Sequence, residues 1–252
     1  MDKTIKKALG LQMNGFHSEA LKIYQKALQT DPNNVLLNEH YGSALAVSGQ
    51  YTQAKIYLKK ALNKSIAKPF VLNNLGIVNR ALGLYEEGLL NLKSALKFEP
   101  KYTDAWVNCG NLHGDLGQWE KAIVCYKNAI KLDSRDRMPY ISLANAYLHN
   151  KEFEQSLEVY QNGQKTFKGP QFLIGELICY RAMNDFVKAL SFAKNLKQKY
   201  NNEIMWFEWI QTLWLAKEYD MFKNEAAKAI EKFGKFPALM SLLELSQENE
   251  PK

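Results

Sequence analysis

Residues 103–136 read TDAWVNCGNLHGDLGQWEKAIVCYKNAIKLDSRD, with apolar places recurring at helical spacing on both sides of a single break. Trp106, Cys109, Gly110 and His113 share one face of a first helix. Gly117-Gln118 turns the chain, and Ala122, Val124, Cys125, Tyr126 and Ala129 fill a second helix. The same register returns every 34 residues in both directions: Ala8, Gly42, Gly76, Gly110 and Ala144 form one series of small residues. Ala20, Ala54, Gly88, Ala122 and Ser156 form a second, and Ala27, Ala61, Ala95, Ala129 and Gly163 a third. Between the last two runs a bulky series, Tyr24, Leu58, Leu92, Tyr126 and Tyr160. Small residues at fixed places let two helix backbones approach, and the bulky residue fills the gap that remains. A glycine inside a helix costs about 1 kcal/mol relative to alanine, so Gly42, Gly76, Gly88 and Gly110 imply close packing. A fixed period of this length is the mark of a repeat architecture.

The later units depart from this register. In the sixth, Leu177, Ala189, Ala193 and Leu196 sit 33 rather than 34 residues beyond their counterparts. A seventh fits two registers, one through Phe207, Ile210, Trp214, Ala227 and Ile230, the other through Trp206, Leu213, Ala226 and Ala229. Residues 238–247 alternate like a last helix, and the polar ending from Gln247 to Lys252 suits a terminal cap and mildly favours a true terminus.

These small-residue columns resemble the tetratricopeptide repeat family. The first and third units carry the fullest match: Ala8, Ala20, Tyr24 and Ala27 before Asp31-Pro32, and Gly76, Gly88, Leu92 and Ala95 before Glu99-Pro100. The resemblance implies an all-α fold, a right-handed superhelical solenoid of antiparallel helix pairs. About seven units are expected, near 1–34, 35–68, 69–102, 103–136, 137–169, 170–202 and 203–235, with a capping helix and polar tail over 236–252. It also implies that first helices line a concave face where ligands meet the array.

Composition narrows the function. Of 252 residues, 46% are hydrophobic and 12% aromatic, enough for a continuous core. There is no signal-peptide pattern and no apolar run of membrane-spanning length, so a soluble, cytoplasmic protein is expected. Three cysteines, Cys109, Cys125 and Cys179, show no paired metal spacing, and their odd number argues against a disulfide framework. Cys109 and Cys125 fall on core-facing places and read as small buried hydrophobes. The net charge of +7 is spread over lysines such as Lys55, Lys59, Lys60, Lys121, Lys127 and Lys131 on the outer sides of second helices. Simple solvation explains them better than a nucleic-acid surface, which would concentrate arginine and stacking aromatics.

Catalytic chemistry is not evident. His17, His40, His113 and His149 are far apart, none with a carboxylate or second histidine at metal-ligand spacing, and no strand pattern carries a phosphate loop. No enzyme activity, metal or cofactor is expected, and an interaction surface remains. Aligning the units places His40, Asn74, Asn108 and Ser142 in one row, and Asn111 and Asn145 in a second, with Asn73 beside Asn74. An amide both donates and accepts, so stacked amides suit an extended peptide backbone. Asn74 and Asn108 resemble, place by place, the asparagine ladder in the repeat array of O-linked N-acetylglucosamine transferases; His40 and Ser142 depart from it. Phe70, Ile77, Arg80, Val107, Asp115, Ile141 and His149 stand on the same helices as further contacts.

The clamp by which some family members hold acidic chaperone tails needs Lys, Asn, Asn, Lys and Arg. The matching places here carry Glu39, Ser43, Asn74, Asp104 and Asn108, which excludes a carboxylate ligand of that type. A second candidate surface is aromatic: Trp206, Phe207, Trp209 and Trp214 cannot all face one neighbour on one helix, so a partner or self-association patch competes there with packing. The reading is a non-catalytic scaffold that binds a protein or peptide segment in its groove. The alternative is the recruiting portion of a glycosyltransferase-like enzyme system whose catalytic part lies elsewhere.

Overall fold

The structure, a computed structural model, describes residues 3–66 and 68–248. The described residues form fifteen α-helices and no strand. They are α1 (Lys3–Met13), α2 (His17–Thr30), α3 (Val35–Val47), α4 (Tyr51–Leu62), α5 (Lys68–Ala81), α6 (Tyr85–Phe98), α7 (Thr103–Asp115) and α8 (Trp119–Leu132), followed by α9 (Arg137–His149), α10 (Phe153–Phe167), α11 (Pro170–Ala182), α12 (Phe186–Tyr200), α13 (Glu203–Leu215), α14 (Tyr219–Phe233) and α15 (Pro237–Glu248). The all-α architecture of stacked helix pairs is the one the period implies. The chain packs as two compact units, residues 1–146 and 147–252.

Each helix pair is closed by the same turn. The second residue after the first helix takes a left-handed backbone, at Gly15, Gly49, Gly83 and Gly117, and then at Lys151, Asn184 and Lys217. The next residue's N–H reaches a carbonyl five residues back, as Gln50 N to Leu45 O at 2.9 Å and Gln118 N to His113 O at 2.8 Å, which satisfies the carbonyls at the helix end. The spacing of these turns is 34 as far as Lys151 and 33 thereafter, so the one-residue slip of the sixth unit is a shortening of the repeat.

In the 1–146 unit the columns meet as close contacts. A Cβ added to Gly42 would lie 2.8 Å from Leu58 Cγ, one on Gly76 2.6 Å from Leu92 Cγ, and one on Gly110 2.6 Å from Tyr126 Cε1. Leu58, Leu92 and Tyr126 are buried, with Ala54, Ala61, Ala95, Ala122 and Ala129 around them. Each such side chain contributes about 1.5–3 kcal/mol of apolar burial. Beyond α10, which keeps a buried Tyr160 in the bulky column, the assignment reverses. At the matching places α11 and α13 carry Leu177 and Ile210, while α12 and α14 carry Ala193 and Ala226, all buried in one core. Bulk therefore sits on the first helix and the small residue on the second.

The seventh pair adopts the register through Leu213, Ala226 and Ala229, all buried, whereas Ala227 is exposed. Ile210, drawn in the other register, is also buried. Helix α15 packs on α13 and buries Leu239 and Leu242. The end of the polar tail, residues 249–252, lies outside the described residues.

Candidate functional site

Helices α3, α5 and α7 carry the predicted amide rows within the 1–146 unit. A cavity of about 360 Å³ opens between α5 and α7, lined by Phe70, Asn73, Asn74, Ile77, Tyr102, Asp104, Val107, Asn108 and Asp136. Asn73, Asn74 and Asn108 thus come together, but as a bonded set. Asn74 Nδ2 donates to Ser43 Oγ at 2.8 Å, and Asn108 Nδ2 donates to Asn73 Oδ1 at 2.9 Å. The Ser43 hydroxyl in turn donates to Glu39 O at 2.9 Å. The amide row is therefore linked across neighbouring repeats, with one N–H of Asn74 and one of Asn108 spent inside the protein.

The other predicted residues are placed differently. Arg80 forms a two-pronged pair with Asp115, Nε to Oδ2 at 2.5 Å and Nη2 to Oδ1 at 3.1 Å, bridging α5 and α7. That bond raises the Arg80 pKa further. Asn111 Oδ1 accepts from Tyr126 Oη at 2.8 Å, and Ser142 bonds the same phenol, whose pKa burial pushes up to about 12. His40 stacks on Tyr24 with ring centroids 6.5 Å apart, and burial lowers its pKa against the opposing pull of Glu39. Asn145 is exposed on α9. His40, Asn111 and Ser142 thus serve packing, while Asn73, Asn74 and Asn108 line the cavity.

Two cavity residues escaped the sequence reading. Tyr102 ends the loop before α7, and Asp136 precedes α9, where its Oδ1 accepts the Met138 N–H at 2.9 Å. An aspartate immediately ahead of a helix was the available signal. Glu39, one of the clamp places, is buried and accepts a hydrogen bond from Ser65 Oγ at 2.8 Å.

In the 147–252 unit the aromatic residues of α13 are consumed by packing. Trp209 is buried and donates from Nε1 to Glu225 Oε2 at 2.9 Å. Trp206 donates to Asn201 Oδ1 at 3.0 Å, lies edge to face with Phe233, and has Lys197 Nζ 4.2 Å from its ring centre. Phe207 packs on Phe236, and Trp214 on Tyr219 and Phe222. None of the four stands among the exposed large apolar residues.

A third cluster joins residues that the sequence reading kept apart. Cys109 and His113, one turn apart on α7, meet Cys125 from α8, and one sulfur or ring-nitrogen atom from each lies within 4.8 Å of the others. The hydrogen bond from Cys125 lowers the Cys109 pKa, with burial opposing and Lys93 assisting, while the same bond and burial raise that of Cys125. The three line a second cavity, of about 680 Å³.

The family model for the tetratricopeptide repeat matches residues 103–136. Those residues are a tetratricopeptide repeat. Solved structures share this tetratricopeptide repeat fold at low sequence identity. The C-terminal part of a TPR repeat-containing protein from Cytophaga hutchinsonii superposes with a TM-score of 0.76 at 14% identity, over 94% of this chain and 98% of that one. PilW, a type IV pilus biogenesis factor, gives 0.70 at 17% identity over 79% of this chain and 92% of its own. YrrB, a TPR protein with an unusual peptide-binding site, gives 0.54 at 21% identity over 67% and 87%. At these identities the likeness is one of fold. No curated protein sequence matches this chain. Among its described residues no helix is long and apolar enough to cross a membrane.

Proposed function

We propose that this protein is a non-catalytic scaffold that binds an extended polypeptide segment across α5 and α7, and that the segment is basic with an apolar anchor. The observation that carries this reading is the chemistry of the cavity wall. Phe70, Ile77 and Val107 form an apolar lining, and the carboxylates of Asp104 and Asp136 and the amides of Asn74 and Asn108 stand around it. Asn74 and Asn108 each spend one amide N–H on Ser43 and Asn73, and their carbonyl oxygens can take N–H groups from a ligand. Asp104 and Asp136 line the same cavity, and the nearby guanidinium of Arg80 is neutralised by Asp115. An acceptor-rich, acidic rim around an apolar centre selects backbone N–H donors, a buried apolar side chain and a flanking lysine or arginine. Two amide acceptors contribute about 1 kcal/mol each, too little alone against the roughly 2–5 kcal/mol needed to order a flexible peptide. The apolar anchor and the carboxylates supply the remainder.

A peptide array of varied charge and hydrophobicity, probed with the full chain, tests this. Selected peptides should combine a basic and an apolar residue. Asn74→Ala with Asn108→Ala should weaken their binding about 10–30-fold, the value of two hydrogen bonds, with helical content nearly unchanged and a modest loss of stability because Asn73 Oδ1 loses its donor. Selection of acidic peptides, or undiminished binding by the double variant, would sink the reading.

A further inference from the structure

From the Cys109, His113 and Cys125 cluster we infer a binding site for one thiophilic d10 cation, zinc(II), on the α7–α8 pair, apart from the peptide cavity. Two thiolates and an imidazole from three different positions are a donor set suited to zinc, which takes sulfur and nitrogen ligands and leaves a fourth place for water. The ligand atoms already lie within 4.8 Å of one another, and drawing them around one ion needs only small side-chain adjustments on two packed helices.

The imidazole is prepared for the role. Gln118 Oε1 receives Lys121 Nζ at 3.1 Å and also lies 2.9 Å from His113 Nδ1. An oxygen that is already an acceptor makes Nδ1 the protonated nitrogen, so Nε2 carries the free lone pair. This is the outer hydrogen bond that metal-bound histidines characteristically make. Gln118 is itself fixed by the repeat's turn, its N–H bonded to His113 O at 2.8 Å.

Packing does not require these residue types. The same three places hold Leu75, Asn79 and Asn91 one pair earlier in the chain and Tyr41, Leu45 and Tyr57 two pairs earlier, with no thiol or imidazole among them. The cavity of about 680 Å³ shared by all three side chains gives an entry path and room for a water. Lys93 and Lys121 line it too, and their charge is compatible with the ion because two thiolates and Zn²⁺ sum to zero. Binding breaks two S–H bonds and forms two Zn–S bonds and one Zn–N bond, with both protons passing to solvent.

The test uses the full chain, reduced and stripped with a chelator, and titrated with Co²⁺ and then Zn²⁺. One Co²⁺ should bind with thiolate-to-metal charge-transfer absorption, be displaced by one Zn²⁺, and release about two protons on zinc uptake. Cys109→Ser and Cys125→Ser should each weaken binding at least 100-fold, Gln118→Ala about 10–100-fold, and Cys179→Ser not at all. Should the serine variants unfold, mass-spectrometric mapping of alkylation on the unaltered chain decides: zinc must protect Cys109 and Cys125 and leave the rate at Cys179 unchanged. Absence of that protection, a cobalt spectrum without thiolate bands, or equal affinity in folded wild type and Cys109→Ser overturns the site. So does formation of a Cys109–Cys125 disulfide in a chain that takes up no metal when reduced.

Discussion

Replacing Gly110 by leucine and Tyr126 by alanine in the same chain tests the packing rule on which the fold rests. A Cβ on Gly110 would stand 2.6 Å from Tyr126 Cε1 and 2.8 Å from both Cδ1 and Cζ, inside any real contact. The ring cannot retreat cheaply, because it is buried and its hydroxyl is bonded to Asn111. Gly110→Leu gains about 1 kcal/mol in helix propensity. Overpacking of this kind removes about 1–3 kcal/mol and occasionally more, so the single variant should lose about 2–3 kcal/mol. Tyr126→Ala alone opens a cavity worth about 3–5 kcal/mol. Added independently, the two would remove about 6 kcal/mol.

Together, however, they install the arrangement that Leu177 with Ala193 and Ile210 with Ala226 already use. The double variant should therefore lose no more than about 3 kcal/mol, a coupling of about 3 kcal/mol or more between the two positions. Urea unfolding of the four proteins, followed by far-UV circular dichroism, measures it. Losses that simply add, within about 0.5 kcal/mol, would refute the claim that one side chain occupies the space the other leaves.

Two further outcomes follow from buried polar groups. Asn79 is fully buried on α5, and neither its Oδ1 nor its Nδ2 has a partner, while Leu45 fills the place 34 residues earlier. Asn79→Leu should stabilise the protein by about 1–3 kcal/mol by removing an unmet desolvation cost; an unchanged or lower melting midpoint would contradict this. Burial drives the Glu225 carboxyl up, but hydrogen bonds from Lys197, Lys228 and Trp209 outweigh it and hold the pKa at about 2. The folded value lies below the unfolded one, so the unfolded chain binds more protons between them. The stabilisation, about 3 kcal/mol for a shift of roughly two units, is complete above pH 4.5 or so and fades as the pH falls towards 2. Glu225→Gln should lower stability at pH 7 and flatten that acid limb; an identical pH profile in the variant would show the carboxylate to be idle.

The repeat was legible because its information is redundant. Gly42, Gly76 and Gly110 each make the same close contact, and the spacing exposes them together. The one-residue slip after Lys151 was legible for the same reason, whereas the last register was not. Trp206, Phe207, Trp209, Ile210 and Trp214 spread too widely around α13 for periodicity to choose one buried stripe. Which ring is buried depends on Asn201, Glu225 and Phe236, brought there by folding. The amide row was visible as a position on first helices, but the spending of two of its N–H groups on Ser43 and Asn73 depends on side-chain torsions that spacing does not encode. Cys109 and His113, four residues apart on one helix, did carry a local signal. The sixteen residues from Cys109 to Cys125 span a helical hairpin, and only the hairpin's closure makes them neighbours.

The exchange of bulk and gap beyond α10 bears on how such an array can be rebuilt. Transplanting α11 in place of α7 would press Leu177 against Tyr126, and the reciprocal graft would leave Gly110 facing Ala193 across a void. Whole hairpins are the smallest parts that can be shuffled in this protein, because each carries its own lock and key.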